Sequence, residues 1–227
     1  MKRFRMKKLS VILLAAAMGL SLALCSCDEK ENGGENLPNV GGWTTPESCA
    51  VTSDSKAALE KATEQMTGGT YKPVALLGSQ VVAGTNYRLL CEFTPATKDA
   101  VASYAIVTVY EDLEGNAEIT EILNSEAQVK VTDEVIDGGW AAPETPDLTD
   151  DSTQALADAS EGVVGASYEP VVLLGTQVVA GTNYCMLCEI TPVAENAESH
   201  YAVVVVYMGA DGATDILETF DFTPTAG

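Results

Sequence analysis

Apolar residues along this chain fall into two rhythms that follow one another twice. Ala58, Leu59, Ala62 and Met66 lie at the i, i+1, i+4, i+8 spacing of one helix face, and Ala155, Leu156, Ala159 and Val163 repeat it. Ser53 with Asp54, and Asp150 with Asp151, supply side-chain oxygens near the predicted helix starts, while Gly68 and Gly165 mark the predicted ends. The period then changes to two. Val74 to Val82 is rich in Val and Leu, and Thr85 to Thr94 alternates Tyr87, Leu89, Cys91 and Phe93 on one face with Asn86, Arg88, Leu90 and Glu92 on the other. Tyr104 to Tyr110 is a β-branched run, and a shorter one, Ala117 to Leu123, follows Asn116. The second set of strands is predicted at Val171 to Val179, Thr182 to Thr191, Tyr201 to Tyr207 and Thr214 to Phe222. One helix lying across four antiparallel strands, twice over, is an α+β layer arrangement.

The two sets are copies of one unit. Gln80-Val81-Val82-Ala83-Gly84-Thr85-Asn86-Tyr87 returns unchanged as Gln177-Val178-Val179-Ala180-Gly181-Thr182-Asn183-Tyr184, 97 residues later. Agreement extends from Tyr71 and Tyr168 through to Glu92 and Glu189. Two domains of common size are expected, 41–127 and 138–227, joined by a polar linker at 128–137.

The Gln-Val-Val-Ala-Gly segment, met twice, resembles the first binding loop of the cystatin family, inhibitors of papain-like cysteine proteases. Each copy follows a Gly-Gly-Trp by 38 residues, Gly42 to Gln80 and Gly139 to Gln177, which is similar to the glycine-bearing N-terminal trunk of that family. The resemblance implies two tandem cystatin-like domains, each one helix packed on a curved antiparallel sheet of four to five strands. It also implies a protease-contacting wedge in each: Gly41, Gly42, Gln80, Val81, Val82, Ala83, Gly84 and Leu113 in the first, and Gly138, Gly139, Gln177, Val178, Val179, Ala180 and Gly181 in the second. Such a wedge blocks the cleft reversibly and presents no carbonyl to the nucleophile. Valines at a hairpin tip, where polar residues are usual, agree with a surface covered by a partner, although alternation alone turns one of each pair inward. Trp43 and Trp140 suit either contact with that partner or capping of the sheet edge. The second hairpins, Glu111 to Gly115 and Met208 to Gly212, depart from the Pro-Trp that many secreted cystatins carry.

The start of the chain adds location. Lys2, Arg3, Arg5, Lys7 and Lys8 precede the apolar run Leu9 to Leu24, the form of a secretory signal over residues 1–27. The ending Leu24-Cys25-Ser26-Cys27 resembles a bacterial lipobox, which implies lipidation of Cys27 and membrane attachment through that anchor. Residues 28–40 are polar and glycine-bearing, a flexible acidic tether whose opening Asp28-Glu29 resembles the surface-export signal of outer-membrane lipoproteins. An exported, surface-exposed, monomeric lipoprotein is the expectation.

Charge and inventory narrow the chemistry. Without its leader the chain keeps 7 Lys and Arg against 33 Asp and Glu, a formal charge of −26. Nucleic acid needs clustered cations and is not an expected partner. The only histidine, His200, stands where the first copy has Ser103, so no repeated nucleophile–histidine pair exists, and no catalytic residue is expected. Cys91 and Cys188 are equivalent and sit on an apolar strand face, where buried free thiols are expected; Cys49 and Cys185 are left open. Cys185 and Cys188, three apart on a strand, point to opposite faces and do not suit a bridge. No metal or cofactor is expected. Against inhibition stand two other functions: adhesion or ligand binding without inhibition, and protection of a secreted protease of the same cell.

Overall fold

The computed structural model describes residues 41–127, 131–132 and 138–224. The expected signal with Cys27, the tether, and all of the linker except Val131 and Thr132 lie outside the described residues.

Each helix starts where a threonine can close a capping box. Helix α1 (Ser53–Thr63) is capped by Thr52, which exchanges side-chain and backbone bonds with Ser55. Helix α2 (Asp150–Ser160) is capped the same way by Thr149 and Ser152. Ala58 and Leu59, like Ala155 and Leu156, are buried. The helices stop earlier than the expected glycines. Thr63 turns its hydroxyl back onto the Leu59 carbonyl at 2.8 Å, and Ser160 bonds the Ala157 carbonyl at 3.2 Å, a side-chain competition that favours helix ends. Met66 and Val163 therefore fall beyond the helices, 40% and 41% exposed.

The remaining elements are β1 (Trp43–Thr44), β2 (Gly69–Val82), β3 (Gly84–Pro95), β4 (Ser103–Glu111), β5 (Ala117–Ser125), β6 (Val131–Thr132), β7 (Trp140–Ala141), β8 (Ala166–Val179), β9 (Gly181–Pro192), β10 (His200–Gly209) and β11 (Thr214–Pro224). They form one 11-stranded sheet in the order β1-β2-β3-β4-β5-β11-β10-β9-β8-β7-β6. Register shifts between Pro73 and Ala75 and between Leu76 and Gly78 recur at Pro170/Val172 and Leu173/Gly175. Bulges of this kind bend strands and raise local twist, which curls the sheet.

The α+β expectation of two tandem cystatin-like domains is corrected by this topology. The protein is a sheet-dominated, curled half-barrel rather than two helix-on-sheet bodies. Strand β5 is not an edge: Ser125 pairs with Phe222, its own equivalent 97 residues on, so the repeats join antiparallel about a local twofold. The central strands of each half are covered on both faces. One face carries a helix, over Leu76, Leu89, Cys91, Ala105, Val107 and Val109 in the first repeat. The opposite face brings Ala75, Leu77, Leu90, Tyr104 and Ile106 against Val172, Leu174, Leu187, Val203 and Val205 of the second repeat, in a single core. Side chains at 104–109 are buried without a break, as in strands covered on both sides. At the seam Ser48 Oγ donates to Asp147 at 3.2 Å, and burial raises the pKa of Tyr201 in the second repeat against the opposing charge of Arg88 from the first. Position 185, the repeat equivalent of Arg88, is a cysteine buried in the shared core.

Candidate functional site

Three segments of the first repeat meet at one end of its strands. The tip between β2 and β3 is Ala83 alone, so Val82 pairs with Gly84 and the hairpin closes tightly. Gly84 has φ +133°, and a Cβ there would lie 2.2 Å from the Glu111 carbonyl oxygen. The tip is thus packed directly on the start of the hairpin between β4 and β5, and only glycine fits between them. Tyr110 reinforces this contact, its hydroxyl donating to the Ala83 carbonyl at 2.6 Å.

On the other side lies the N-terminal segment. Trp43 pairs with Gln80 and Thr44 with Ser79. Gly41 N donates to the Val81 carbonyl at 3.0 Å, and Gln80 Nε2 donates to the Gly41 carbonyl at 2.9 Å. Gln80 Oε1 accepts from Asn86 Nδ2 at 2.7 Å. The amide of Gln80 is therefore a clasp between trunk and hairpin, half-buried, with its polar atoms used inside the chain. The second repeat rebuilds the same clasp: Gln177 Nε2 to the Gly138 carbonyl at 2.8 Å, Asn183 Nδ2 to Gln177 Oε1 at 2.7 Å, and the Tyr207 hydroxyl to the Ala180 carbonyl at 2.7 Å.

What these contacts leave in water is apolar. Val81 and Val82 are 40% and 39% exposed, and Val178 and Val179 are 70% and 44% exposed. Neither valine of a pair is tucked into the core, so the inward turn that simple alternation favours does not occur at the tips. Ala83, Ala180, Gly41 and Gly138 are exposed beside them, with Gly42 and Gly139 half-buried.

The third segment distinguishes the repeats. Asp112 Oδ1 accepts from Glu114 N at 2.9 Å and Asn116 N at 2.8 Å, and Oδ2 accepts from Asn116 Nδ2 at 2.8 Å. The Asn116 bonds hold this carboxyl below the usual carboxylate range. The Lys61 ammonium of α1 also donates to the Gly115 carbonyl. So braced, the tip presents Leu113 at 85% exposure, flanked by Glu111, Asp112 and Glu114. The second repeat has Gly209, Ala210 and Asp211 at the equivalent tip, closed by Gly209 N to the Ala213 carbonyl at 2.7 Å.

The other candidates fall elsewhere. Trp43 lies across Gly78 with the Arg88 guanidinium 4.2 Å from its ring centroid, a capping position that leaves 39% of it exposed. Trp140 packs against the shared core. His200 Nε2, at the start of β10 and away from the tips, lies 3.3 Å from Asp221 Oδ1 of β11. Cys49, Cys91, Cys185 and Cys188 are all free thiols, and burial pushes Cys91 and Cys188 each up to about 12. Among the described residues no group of three or more His, Cys, Asp or Glu is placed to hold a metal ion. Asn86, Asn183, Tyr110 and Tyr207, which periodicity places only within strands, brace the tips from within, and their identity in both repeats is the sequence signal for that role. No known family model matches the chain, and no curated protein matches it.

Proposed function

We propose that this chain is a reversible inhibitor of papain-like cysteine proteases, binding by occupation of the active-site cleft and without turnover. The observation that carries this reading is the alignment of trunk, first hairpin and second hairpin at one end of the strands, with the side chains of Val81, Val82, Ala83 and Leu113 exposed at the crest. Internal bonds from Gln80, Asn86 and Tyr110 fix the crest before any partner arrives, which lowers the ordering cost of binding. Exposed apolar tips held rigid are what a narrow cleft selects, and a flat adhesive surface would not need them. The repeated Gln-Val-Val-Ala-Gly, in its resemblance to the cystatin loop, points to the same class of partner. In this reading Cys27 carries lipid, residues 28–40 are the tether, and the inhibitor is displayed outside the outer membrane.

The test is a titration of papain with the compact unit Leu37–Gly227. Activity should fall reversibly with added protein, and the double variant Val82→Asp, Val179→Asp should leave papain untouched while melting as the parent does. Full activity of papain and its relatives at micromolar concentrations of the parent protein would end the proposal.

A further inference from the structure

We infer that one chain holds two protease molecules at the same time, one at each end of the curled sheet; this rests on the inhibitory reading above. The joint between the repeats decides the geometry. In the first repeat the trunk, the Val82–Gly84 tip and the second hairpin all lie where β5 begins, at Ala117. In the second repeat the corresponding tips lie where β11 begins, at Thr214. These two strands run antiparallel and overlap only at their far ends, Leu123 to Ser125 against Phe222 to Pro224. Each wedge is therefore about eight residues from the joint, in opposite directions. At roughly 3.3 Å per residue the path from crest to crest is about 50 Å along the strands. A protease of about 200 residues has a radius of gyration of roughly 16 Å, so two such bodies approaching from opposite ends do not compete for space.

The shared core makes the arrangement rigid. Strand β5 bonds to β11, and the inner faces of both halves are packed together around Leu90, Ile106, Leu187 and Val203. The wedges consequently cannot swing toward the same side, as they would on a flexible linker. The two crests also differ, since Leu113 with its acidic neighbours has only Ala210 and Asp211 opposite it. The first event leaves the second site both open and chemically distinct.

Papain with its catalytic thiol blocked, mixed in excess with the unit Leu37–Gly227, provides the probe. Sedimentation should give the mass of one chain plus two papain molecules, and titration of active papain should end at two per chain. Val82→Asp and Val179→Asp, made singly, should each bring the endpoint to one. An endpoint of one for the parent, with both single variants still binding one, means mutually exclusive sites and overturns this inference. An endpoint of one that a single variant abolishes means one working wedge, and overturns it equally. In both cases the inhibitory reading stands, whereas no binding by the parent would overturn that reading itself.

Discussion

A methyl group at position 84 has nowhere to go. It would meet the Glu111 carbonyl oxygen at 2.2 Å and the Tyr110 ring at 2.9 Å, on a backbone with φ +133° that side chains rarely adopt. Gly84→Ala is expected to cost at least ~1–3 kcal/mol from the backbone conformation alone, and to push the two hairpins of the first wedge apart. Denaturant unfolding should show the loss, and papain inhibition by the first wedge should weaken with it. Gly181→Ala should act likewise on the second. The buried thiols give a pH signature. Cys91 and Cys188 ionise near 9 when unfolded but are pushed up to about 12 in the fold. Their contribution is fully present below pH 9 and is lost as pH rises toward 12, because only the unfolded chain releases the protons. Stability measured by chemical denaturation should therefore fall above pH 9, by up to about 1.4 kcal/mol per pH unit for each thiol. The buried thiols at Cys91 and Cys188 are legible in the sequence from their equivalence on an apolar strand face, whereas the close packing of Gly84 and Gly181 on the neighbouring hairpin is not. Nor is the Gln80 clasp, because an amide at a tip reads equally as a partner contact or an internal brace until the carbonyl it meets is known.

At the scale of elements, periodicity located both helices and all eight long strands, and missed how far they run. Strand β2 begins at Gly69 and carries Pro73 within it, beside a bulge where its ring does not break the ladder. Nothing in a two-residue alternation signals such a bulge. The caps are Thr52 and Thr149, one to two residues before the Ser53, Asp54 and Asp150, Asp151 oxygens that the pattern favours. Thr52→Ala and Thr149→Ala should each cost ~1 kcal/mol, and the double variant should lose about their sum because the two caps serve separate helices. Papain inhibition should not change, which separates helix stability from wedge function. The second hairpin is a contrasting element, as Leu113 contributes little to the fold at 85% exposure. Leu113→Ala is expected to leave the melting temperature unchanged while raising the inhibition constant of the first wedge about tenfold, equivalent to ~1.4 kcal/mol of lost contact. A constant that does not move would remove Leu113 from the crest.

The whole molecule departs most from what the chain suggested, and the reason lies in the second face of each strand. Alternation puts Leu90 on the face opposite Leu89 and Cys91, among Asn86, Arg88 and Glu92, a mixture that passes for a solvated surface when one repeat is considered alone. In the structure that face is the inner wall, where Leu77, Leu90 and Ile106 are buried against the other repeat. Separating the repeats would return those three side chains to water at ~1.5–3 kcal/mol each, a total of roughly 5–9 kcal/mol. That is comparable to the whole stability of a small domain, about 5–15 kcal/mol, so residues 41–127 are not expected to persist as a folded monomer. The joint offers them an alternative. Ser125 pairs with its own equivalent, so two copies of one repeat can rebuild the same antiparallel seam with each other. An isolated first repeat should sediment as a dimer or fail to fold, and the unit Leu37–Gly227 should unfold in one cooperative transition. If residues 41–127 proved monomeric, folded and as stable as the parent, the shared core would not be what holds the wedges apart, and their fixed opposition would lose its physical basis.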